Sequence, residues 1–532
     1  MILVTIIIVV SAVLSWYLGQ YMTYILDNNT GGNWKSYLKQ FAIFNVIMFA
    51  VGFAILASQQ YLPLNPDGKG ALTFDLIFNT AASFTTNTNL QHYSGEVSMS
   101  YFSQLFALMW LQFVSAATGI AALAALARGL SGRGFGSFYK DMISAALYIL
   151  LPVAFLVAVL LIFTGVPMTF GGTVEAHTLE GALQNISRGP AAAFIAIKQL
   201  GSNGGGFFGP NSAHPFENPN FWSNIIESVS IILIPMSCVW MFGRITGKMR
   251  HAAVIFGVML LLLVVKISLA SYFESAPTGA FAGLNIQKSV NLEGKELRFG
   301  TSAAPLWATL TTSTSNGSVN NMHDSLNPLT GLVPLTGMWL NETFGGVGVG
   351  MINMIIYILT GVFICGMMVG RTPEYLGRKV ETQEMKLVLL ALLVHPLCIL
   401  GGTALFTVMP WGAETVHNAG AHGFTEILYE FTSASANNGS GFEGLGDNTP
   451  AWNIATGIVM LVARYAPIVL PLMAAGSLSA KKVSPDTSGT LHTDTMLFGA
   501  VILGSIVFIG ALLFMPVAVL GPVSEHMAGA LK

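Results

Sequence analysis

The chain is poor in charge. Of its 532 residues only 9% are Asp, Glu, Lys or Arg, while 53% are hydrophobic; soluble domains carry roughly 25% charged residues. A surface so short of ions cannot face water all round, so the natural solvent for most of the chain is lipid. The net charge of −2 leaves no basic field for nucleic acid. Cysteine is nearly absent. Cys238, Cys365 and Cys398 lie in apolar runs without metal-ligand spacing, which argues against a disulfide framework or a zinc cluster and reads as small buried hydrophobes. No G-x-x-x-x-G-K-[ST] phosphate loop, His/Glu metal motif or nucleophile elbow occurs, so no ATP site or hydrolytic centre is expected in this chain. The opening MILVTIIIVVSAVLSWYLG lacks a basic start and a small-x-small cleavage site, and reads as an uncleaved membrane helix rather than a secretory signal.

What is present is length in apolar runs. A membrane span needs about 20 mostly apolar residues. Runs of that kind lie near 1–19, 41–59, 101–126, 142–165, 222–243, 252–273, 347–369, 386–409, 452–477 and 496–520. Between them sit four polar segments rich in Ser, Thr, Asn and Gly. Aligned on asparagine they read Thr86-Asn87-Thr88-Asn89, Ser202-Asn203-Gly204-Gly205, Ser315-Asn316-Gly317-Ser318 and Asn437-Asn438-Gly439-Ser440. The aligned asparagines recur at a nearly constant interval, the mark of internal repetition. Each unit reads as span, short helix, polar turn, span, with the short helices at about 74–84, 190–200, 304–313 and 424–434. The expected fold is therefore an all-α polytopic membrane protein with ten transmembrane helices: four pseudo-symmetric repeats around one pore, plus one extra helix at each end. The divisions are 1–40 for the first helix and its loop, 41–141, 142–251, 252–385 and 386–482 for the repeats, and 483–532 for the last helix. An insert at 274–303, containing NLEGKELRFG, reads as a small ordered cap without assignable chemistry.

Basic residues set the expected orientation. The loops after spans one, three, five, seven and nine carry Lys35 and Lys39; Arg128, Arg133 and Lys140; Arg244, Lys248 and Arg250; Arg371, Arg378, Lys379 and Lys386; and Lys481 and Lys482. The longer segments on the other side carry fewer. The first set is expected in the cytoplasm, with both termini and the four polar turns facing outside.

Irregular backbone at membrane depth is tolerated only inside protein or along a watery cavity. Four such turns at one depth point to convergence on a common axis. Gly permits positive φ and Asn tolerates it, so successive carbonyls can aim inward and replace part of an ion's hydration shell. The short helices would direct their partly negative C-terminal ends to the same place. None of the four tetrads contains Asp or Glu, which suits a weakly hydrated monovalent ion such as K⁺ better than Ca²⁺ or Mg²⁺. The plainer alternative, Gly and Ser serving only close helix packing, explains one such segment more readily than four in register.

Three further features bear on transport. The stretch SLNPLTGLVPLTGMWLNETFGGVGVG carries Pro328, Pro334, Gly331, Gly337, Gly345 and Gly346 and cannot form one smooth helix. It is expected to break near Glu342, as a gate or exit beside the pore or, alternatively, as an external loop. Arg464 lies mid-span, where a charge is costly; it reads either as a fixed positive charge below the filter that repels K⁺, or as a structural partner of a carboxylate or helix carbonyls. Lys266 lies nearer its helix's external end, where snorkelling is expected.

The stretches FTTNTNLQHYSGE, KQLGSNGGGFFGPNSAHPFENP, NLEGKELRFG, NMHDSL, FGGVGVG, GRTPEYLGRK and ANNGSGFEGL resemble the signatures of the potassium-binding component, the A subunit, of Kdp-type potassium-transporting P-type ATPases. The likeness runs from about residue 40 to residue 523. It implies the fold of the potassium-transporter superfamily, with M1–P–M2 repeats. It also implies a complex in a bacterial cytoplasmic (inner) membrane: a catalytic P-type B subunit that hydrolyses ATP, a C subunit that assists it and a small single-span accessory peptide. An intramembrane tunnel would lead from this chain toward the catalytic partner. The DKTGT motif of P-type ATPases is missing here, so ATP chemistry is expected elsewhere. Carried over by residue, the filter is Thr86, Asn87, Thr88, Asn89, Ser202, Asn203, Gly204, Ser315, Asn316, Gly317, Asn437, Asn438 and Gly439, and Gln91, Glu342 and Arg464 match positions tied to the ion path. Asn316 and Ser202 depart from the residues common there but keep their carbonyls. K⁺ is the expected cargo. Rival readings are a self-sufficient K⁺ channel or ion-coupled symporter of the same superfamily, and a membrane enzyme using the polar turns as its active site.

Overall fold

The computed structural model describes residues 2–277, 290–484 and 492–530. Ten helices among the described residues are long and apolar enough to cross a membrane. They are α1 (Leu3–Leu26), α2 (Trp34–Ala57), α4 (Ser103–Leu130), α5 (Phe138–Thr164), α7 (Phe221–Thr246), α8 (Met249–Glu274), α11 (Val349–Val369), α12 (Thr382–Val408), α14 (Pro450–Ser479) and α15 (Met496–Gly529). Four shorter helices, α3 (Phe74–Thr85), α6 (Ala191–Leu200), α9 (Ala303–Ser313) and α13 (Ala421–Ala436), each precede one of the polar turns. A fifth, α10 (Pro328–Leu340), stands before α11.

Local sequence explains where the spans begin and end. Asn220 caps α7 through a reciprocal box with Ser223, and Glu381 does the same for α12 with Glu384. Gly165, Gly247 and Gly370 end α5, α7 and α11 with φ of 105°, 69° and 71°, the left-handed termination that a side chain resists. Pro328 starts α10 as its first residue, where a missing N–H costs nothing.

The spans group as the repeat predicts: α2–α3–α4, α5–α6–α7, α8–α9–α10/α11 and α12–α13–α14. The ring is closed between the last unit and the first. On α3, Asn79 Nδ2 donates to Asn453 O at 3.0 Å and to Thr456 Oγ1 at 2.8 Å on α14, and Phe78 packs over Gly457. The two extra helices attach outside. Gly19 of α1 rests on Ser237 and Trp240 of α7, with Trp16 edge-on to Trp240 at 4.8 Å. Gly361 of α11 meets Ser505 of α15, and Trp339 of α10 stacks on Phe514 of α15 at 5.1 Å.

The basic loops gather on one face and are tied to one another. Arg133 pairs with Asp27 at 2.8 Å, buried Arg128 pairs with Asp141, and Lys481 pairs with Glu381 and Glu384 at 2.8 Å each. The opposite face carries a feature the apolar pattern did not signal, an antiparallel hairpin of β1 (Val174–His177) and β2 (Leu183–Ile186). Part of the insert at 274–303, namely 278–289, lies outside the described residues. Its remainder is anchored. Lys295 pairs with Glu274 at 2.6 Å, and Arg298 donates to the carbonyls of Asn218 and Ala213 at 3.1 and 2.5 Å.

The end of α15 is held by one histidine. His422, at the start of α13, bridges Asp324 through Nε2 at 2.8 Å and Glu525 through Nδ1 at 2.9 Å. Burial alone would lower its pKa; the hydrogen bonds and charges of Asp324 and Glu525 outweigh that and push it up to about 10. A raised histidine pKa stabilises fully below the unfolded value of about 6.5 and is lost as pH climbs through the folded one. Anchoring of the C-terminal turn is thus expected to be at full strength below about pH 6.5 and to weaken progressively as pH rises from there toward 10. In the His422→Gln variant, amide exchange over residues 520–530 should rise roughly tenfold at pH 7, measured by hydrogen–deuterium exchange; unchanged exchange would remove the clamp.

Candidate functional site

The four short helices end at one place, and their turns share one backbone. After each helix the chain enters the left-handed region: at Asn87 (φ 65°), Ser202 (φ 51°), Ser315 (φ 48°) and Asn437 (φ 51°). Two residues later it does so again in three of the four, at Asn89 (φ 57°), Gly204 (φ 85°) and Gly439 (φ 103°). Between these positions the amides of Thr88, Asn203, Asn316 and Asn438 all fold back onto the last helical turn, donating to the carbonyls of Ser83, Lys198, Thr311 and Ser433 at 2.9, 3.0, 2.9 and 2.9 Å.

This pattern corrects the alignment by one residue in the first repeat. Thr88, not Asn87, occupies the position of Asn203, Asn316 and Asn438. The asparagine alignment misleads because the first turn carries Asn on both sides of its central residue, each at positive φ. Every expected filter residue remains in the turns.

The turns are linked into a closed circle by side-chain amides. Asn87 Nδ2 donates to the carbonyls of Gly201 and Ser202 at 3.1 and 3.0 Å, joining turns one and two, and Asn203 Nδ2 returns a bond to Asn87 Oδ1 at 2.7 Å. Asn316 Nδ2 reaches Gln199 O at 3.2 Å, joining turns two and three. Asn438 Nδ2 reaches Asn316 O at 3.1 Å, joining three and four. Asn437 Nδ2 reaches Thr88 Oγ1 at 2.9 Å and closes the circle. Each bond satisfies buried polar groups that lipid could not serve.

Residues outside the expected set brace this circle from behind. Ser115 Oγ donates to Asn87 Oδ1 at 2.8 Å, and Gln112 Nε2 to Asn89 Oδ1 at 3.2 Å, both from α4. Gln199 accepts from Asn316 Nδ2 and Ser318 Oγ at 3.2 and 3.0 Å through Oε1, while its Nε2 donates to buried Glu227 at 2.7 Å. Their signal in the chain is plain once the fold is known: polar side chains interrupting the apolar run WLQFVSAATG, and a glutamate inside α7.

Gly204 and Gly439 are required by space as well as by φ, and Gly317 by space alone. A Cβ on Gly204 would strike the backbone of Gly317, one on Gly317 would lie 2.7 Å from Gly439 Cα, and one on Gly439 would strike Thr88 O. The four turns therefore meet at van der Waals contact of main chain on main chain. Among the described residues, Ser202 Oγ and Asn203 Oδ1 are buried oxygens there without a hydrogen-bond partner. No carboxylate lies in the tetrads. With four helix C-termini aimed at it, the site presents partial negative charge from oxygens and helix ends alone, chemistry suited to a dehydrated monovalent cation.

The other three expected residues are placed differently. Gln91 locks turn one to turn two, its Nε2 donating to Gly206 O at 3.0 Å and its Oε1 accepting from Gly206 N at 2.7 Å; it braces the outer side of the turns. Glu342 is fully buried in the break between α10 and α11, where Asn341, Phe344, Gly345, Gly346 and Gly348 all have positive φ. The break faces the pore: Ser315 Oγ donates to Asn341 Oδ1 at 2.5 Å, and Asn341 Nδ2 to Ala436 O at 3.0 Å. The break is thus packed against turns three and four. Arg464 lines a cavity of about 40 Å³ together with Ser315, Asn341, Gly345 and Asn437, room for about three water-sized spheres at ~10–15 Å³ each. Ser315 and Asn437 open turns three and four, so this cavity adjoins the inner end of the site. Arg464 makes no ion pair among the described residues and its Nη2 has no hydrogen-bond partner there, so the carboxylate-partner reading finds no carboxylate. Lys266 does not snorkel. It is buried, its Nζ is without a hydrogen bond among the described residues, and its charge acts on Glu342; this side of α8 faces protein rather than the headgroup layer.

The family described as potassium-transporting ATPase A subunit matches residues 10–527. The potassium-transporting ATPase potassium-binding subunit of Pseudomonas aeruginosa is 48% identical over 512 residues, 96% of this chain and 91% of that protein. Among solved structures, the potassium transporter TrkH from Vibrio parahaemolyticus superposes with a TM-score of 0.53 at 16% identity, covering 81% of this chain and 84% of that one, a likeness of fold.

Gly204→Asp and Gly439→Asp should each lower K⁺ affinity at least tenfold in equilibrium binding, since each combines ~1–3 kcal/mol of backbone strain with collision against the neighbouring turn. Wild-type affinity and selectivity in both variants would show that the ion does not bind between these turns.

Proposed function

The chain belongs to the potassium-transporting ATPase A subunit family, and from that premise we propose that it selects K⁺ between its four turns and passes it inward as the potassium-binding, non-catalytic subunit of an ATP-driven uptake complex. The observation that carries this reading is the closed circle of turns, which gives one ion one site among main-chain oxygens drawn from all four repeats. The thirteen turn residues from Thr86 to Gly439 named above form the filter, and the chain divides at 41–141, 142–251, 252–385 and 386–482 into the repeats that build it.

K⁺ enters from the side on which the four turns open, sheds water stepwise to the carbonyls, and reaches the cavity beside Ser315 and Asn437. There the guanidinium of Arg464 opposes it. At an assumed separation of about 7 Å and an effective dielectric constant near 20, like unit charges repel by ~2.4 kcal/mol, roughly a fiftyfold penalty on occupancy. That is enough to deter leak straight through the pore without preventing passage. The gap between α10 and α11, with Glu342 buried in it, offers a lateral way out toward the ATP-hydrolysing partner. Asn341 supports the gap by bonding both neighbouring turns.

The partners fitting this reading are the catalytic P-type B subunit, the C subunit and a small single-span peptide, in a bacterial inner membrane with both termini outside. Basic loops tied together on one face favour that orientation. ATP chemistry belongs to the catalytic partner. A self-sufficient channel or symporter would need no such partner, and the arginine below the turns, without an ion pair among the described residues, weighs against a freely conducting pore.

The purified complex with its partners should hydrolyse ATP several-fold faster with K⁺ than without; indifference to K⁺ would reject the pump assignment. Arg464→Ala should keep K⁺ selection while lowering K⁺ moved per ATP at least threefold in proteoliposomes, and normal coupling would remove its barrier role.

A further inference from the structure

Just outside the circle of turns, three elements bring together a histidine and two carboxylates that the potassium path does not use. His92 follows the first turn, Glu430 lies on α13, and Asp447 lies in the segment after the fourth turn. His92 Nε2 is 3.1 Å from Glu430 Oε1 and 3.9 Å from Asp447 Oδ2. His92 and Glu430 are buried, while the side chain of Asp447 keeps 26% exposure and leaves an approach from solvent.

The tautomer of His92 is fixed by a chain of hydrogen bonds. Asn453 Nδ2 donates to Asp75 Oδ2 at 2.7 Å and to Asn448 Oδ1 at 3.2 Å. That orientation leaves Asn453 Oδ1 as the acceptor for His92 Nδ1, 2.7 Å away. Nδ1 therefore carries a proton, and Nε2 points at the two carboxylates. Metal-binding histidines are commonly held in this way, with the far nitrogen donating to an oxygen acceptor. Glu430 and Asp447 bring two negative charges to a buried pocket where His92 offers at most one positive charge. Asp75 adds another acid behind Asn453. Among the described residues, His92 is the one side chain hydrogen-bonded to the Glu430 carboxylate.

The geometry points to a divalent transition-metal site, of the zinc class, formed by His92 Nε2, Glu430 and Asp447. Tetrahedral zinc with ligands at ~2.0–2.2 Å separates its donor atoms by about 3.3 Å. The donor atoms here all lie within 4.8 Å of one another, so small side-chain rotations suffice. One nitrogen with two carboxylate oxygens suits Zn²⁺ better than Ca²⁺ or Mg²⁺, which favour larger all-oxygen shells. Solvent through the Asp447 side supplies the fourth ligand. The bound ion takes the place of any proton on Nε2, which leaves to water, and it ties the first repeat to the fourth above the pore entrance.

The test is calorimetric titration of Zn²⁺ into the untagged, purified complex. One site is expected that His92→Gln weakens at least a hundredfold and Asp447→Asn about tenfold, with both variants eluting as intact complexes. Repeating the titration near pH 6 in buffers of different ionisation enthalpy should show proton release that His92→Gln abolishes. Absence of Zn²⁺ binding at 100-fold molar excess would overturn the site in favour of a simple imidazolium–carboxylate bridge. Equal affinity in wild type and both variants would also overturn it, by locating the zinc elsewhere.

Discussion

Everything in this molecule depends on where unpaired main chain can be put. A helix consumes its own amides and carbonyls; a left-handed turn does not, and lipid will not serve what is left. The protein resolves this by making the four turns partners of one another. Asn87, Asn316, Asn437 and Asn438 each commit a side-chain amide to a neighbouring turn. The remaining oxygens are thereby left where four helix ends already concentrate negative potential. On the proposed reading, cation affinity and structural integrity come from the same bonds.

The repeats are alike in backbone but not in use. Repeat three interrupts its second helix at Asn341–Gly348, a stretch that no other repeat breaks so completely, and turns its polar groups back onto the pore through Ser315 and Ala436. The fourth repeat contributes Arg464 to the wall of the same cavity. Quasi-symmetry thus shapes the circle of turns, while departures from symmetry shape the cavity beside it.

Much of this was legible in the sequence for one physical reason: polar residues in an apolar chain are expensive and so are rarely accidental. The ten spans, the four turns and the break at Glu342 all announce themselves in that way. The register of the first turn did not, since Thr-Asn-Thr-Asn carries its asparagines on either side of the central residue where each other turn has one at the centre, and only the main-chain bond from Thr88 to Ser83 reveals the shift. The burial of Lys266 was hidden because position along a span does not reveal which side of the helix faces protein. The bracing by Gln112, Ser115 and Gln199 was visible as isolated polar residues but had no partner until the fold supplied one. The hairpin at Val174–Ile186 lies outside the apolar pattern altogether.

The direction of the bonds around the circle has a consequence for biogenesis. Both seams of the fourth turn are made by its own side chains, Asn437 to the first turn and Asn438 to the third. A ribosome delivers that repeat last. Until it arrives, the three earlier turns lack the donors that would draw them shut, and no selective pathway exists through the unfinished chain. Closure of the four-sided site therefore waits on the fourth repeat.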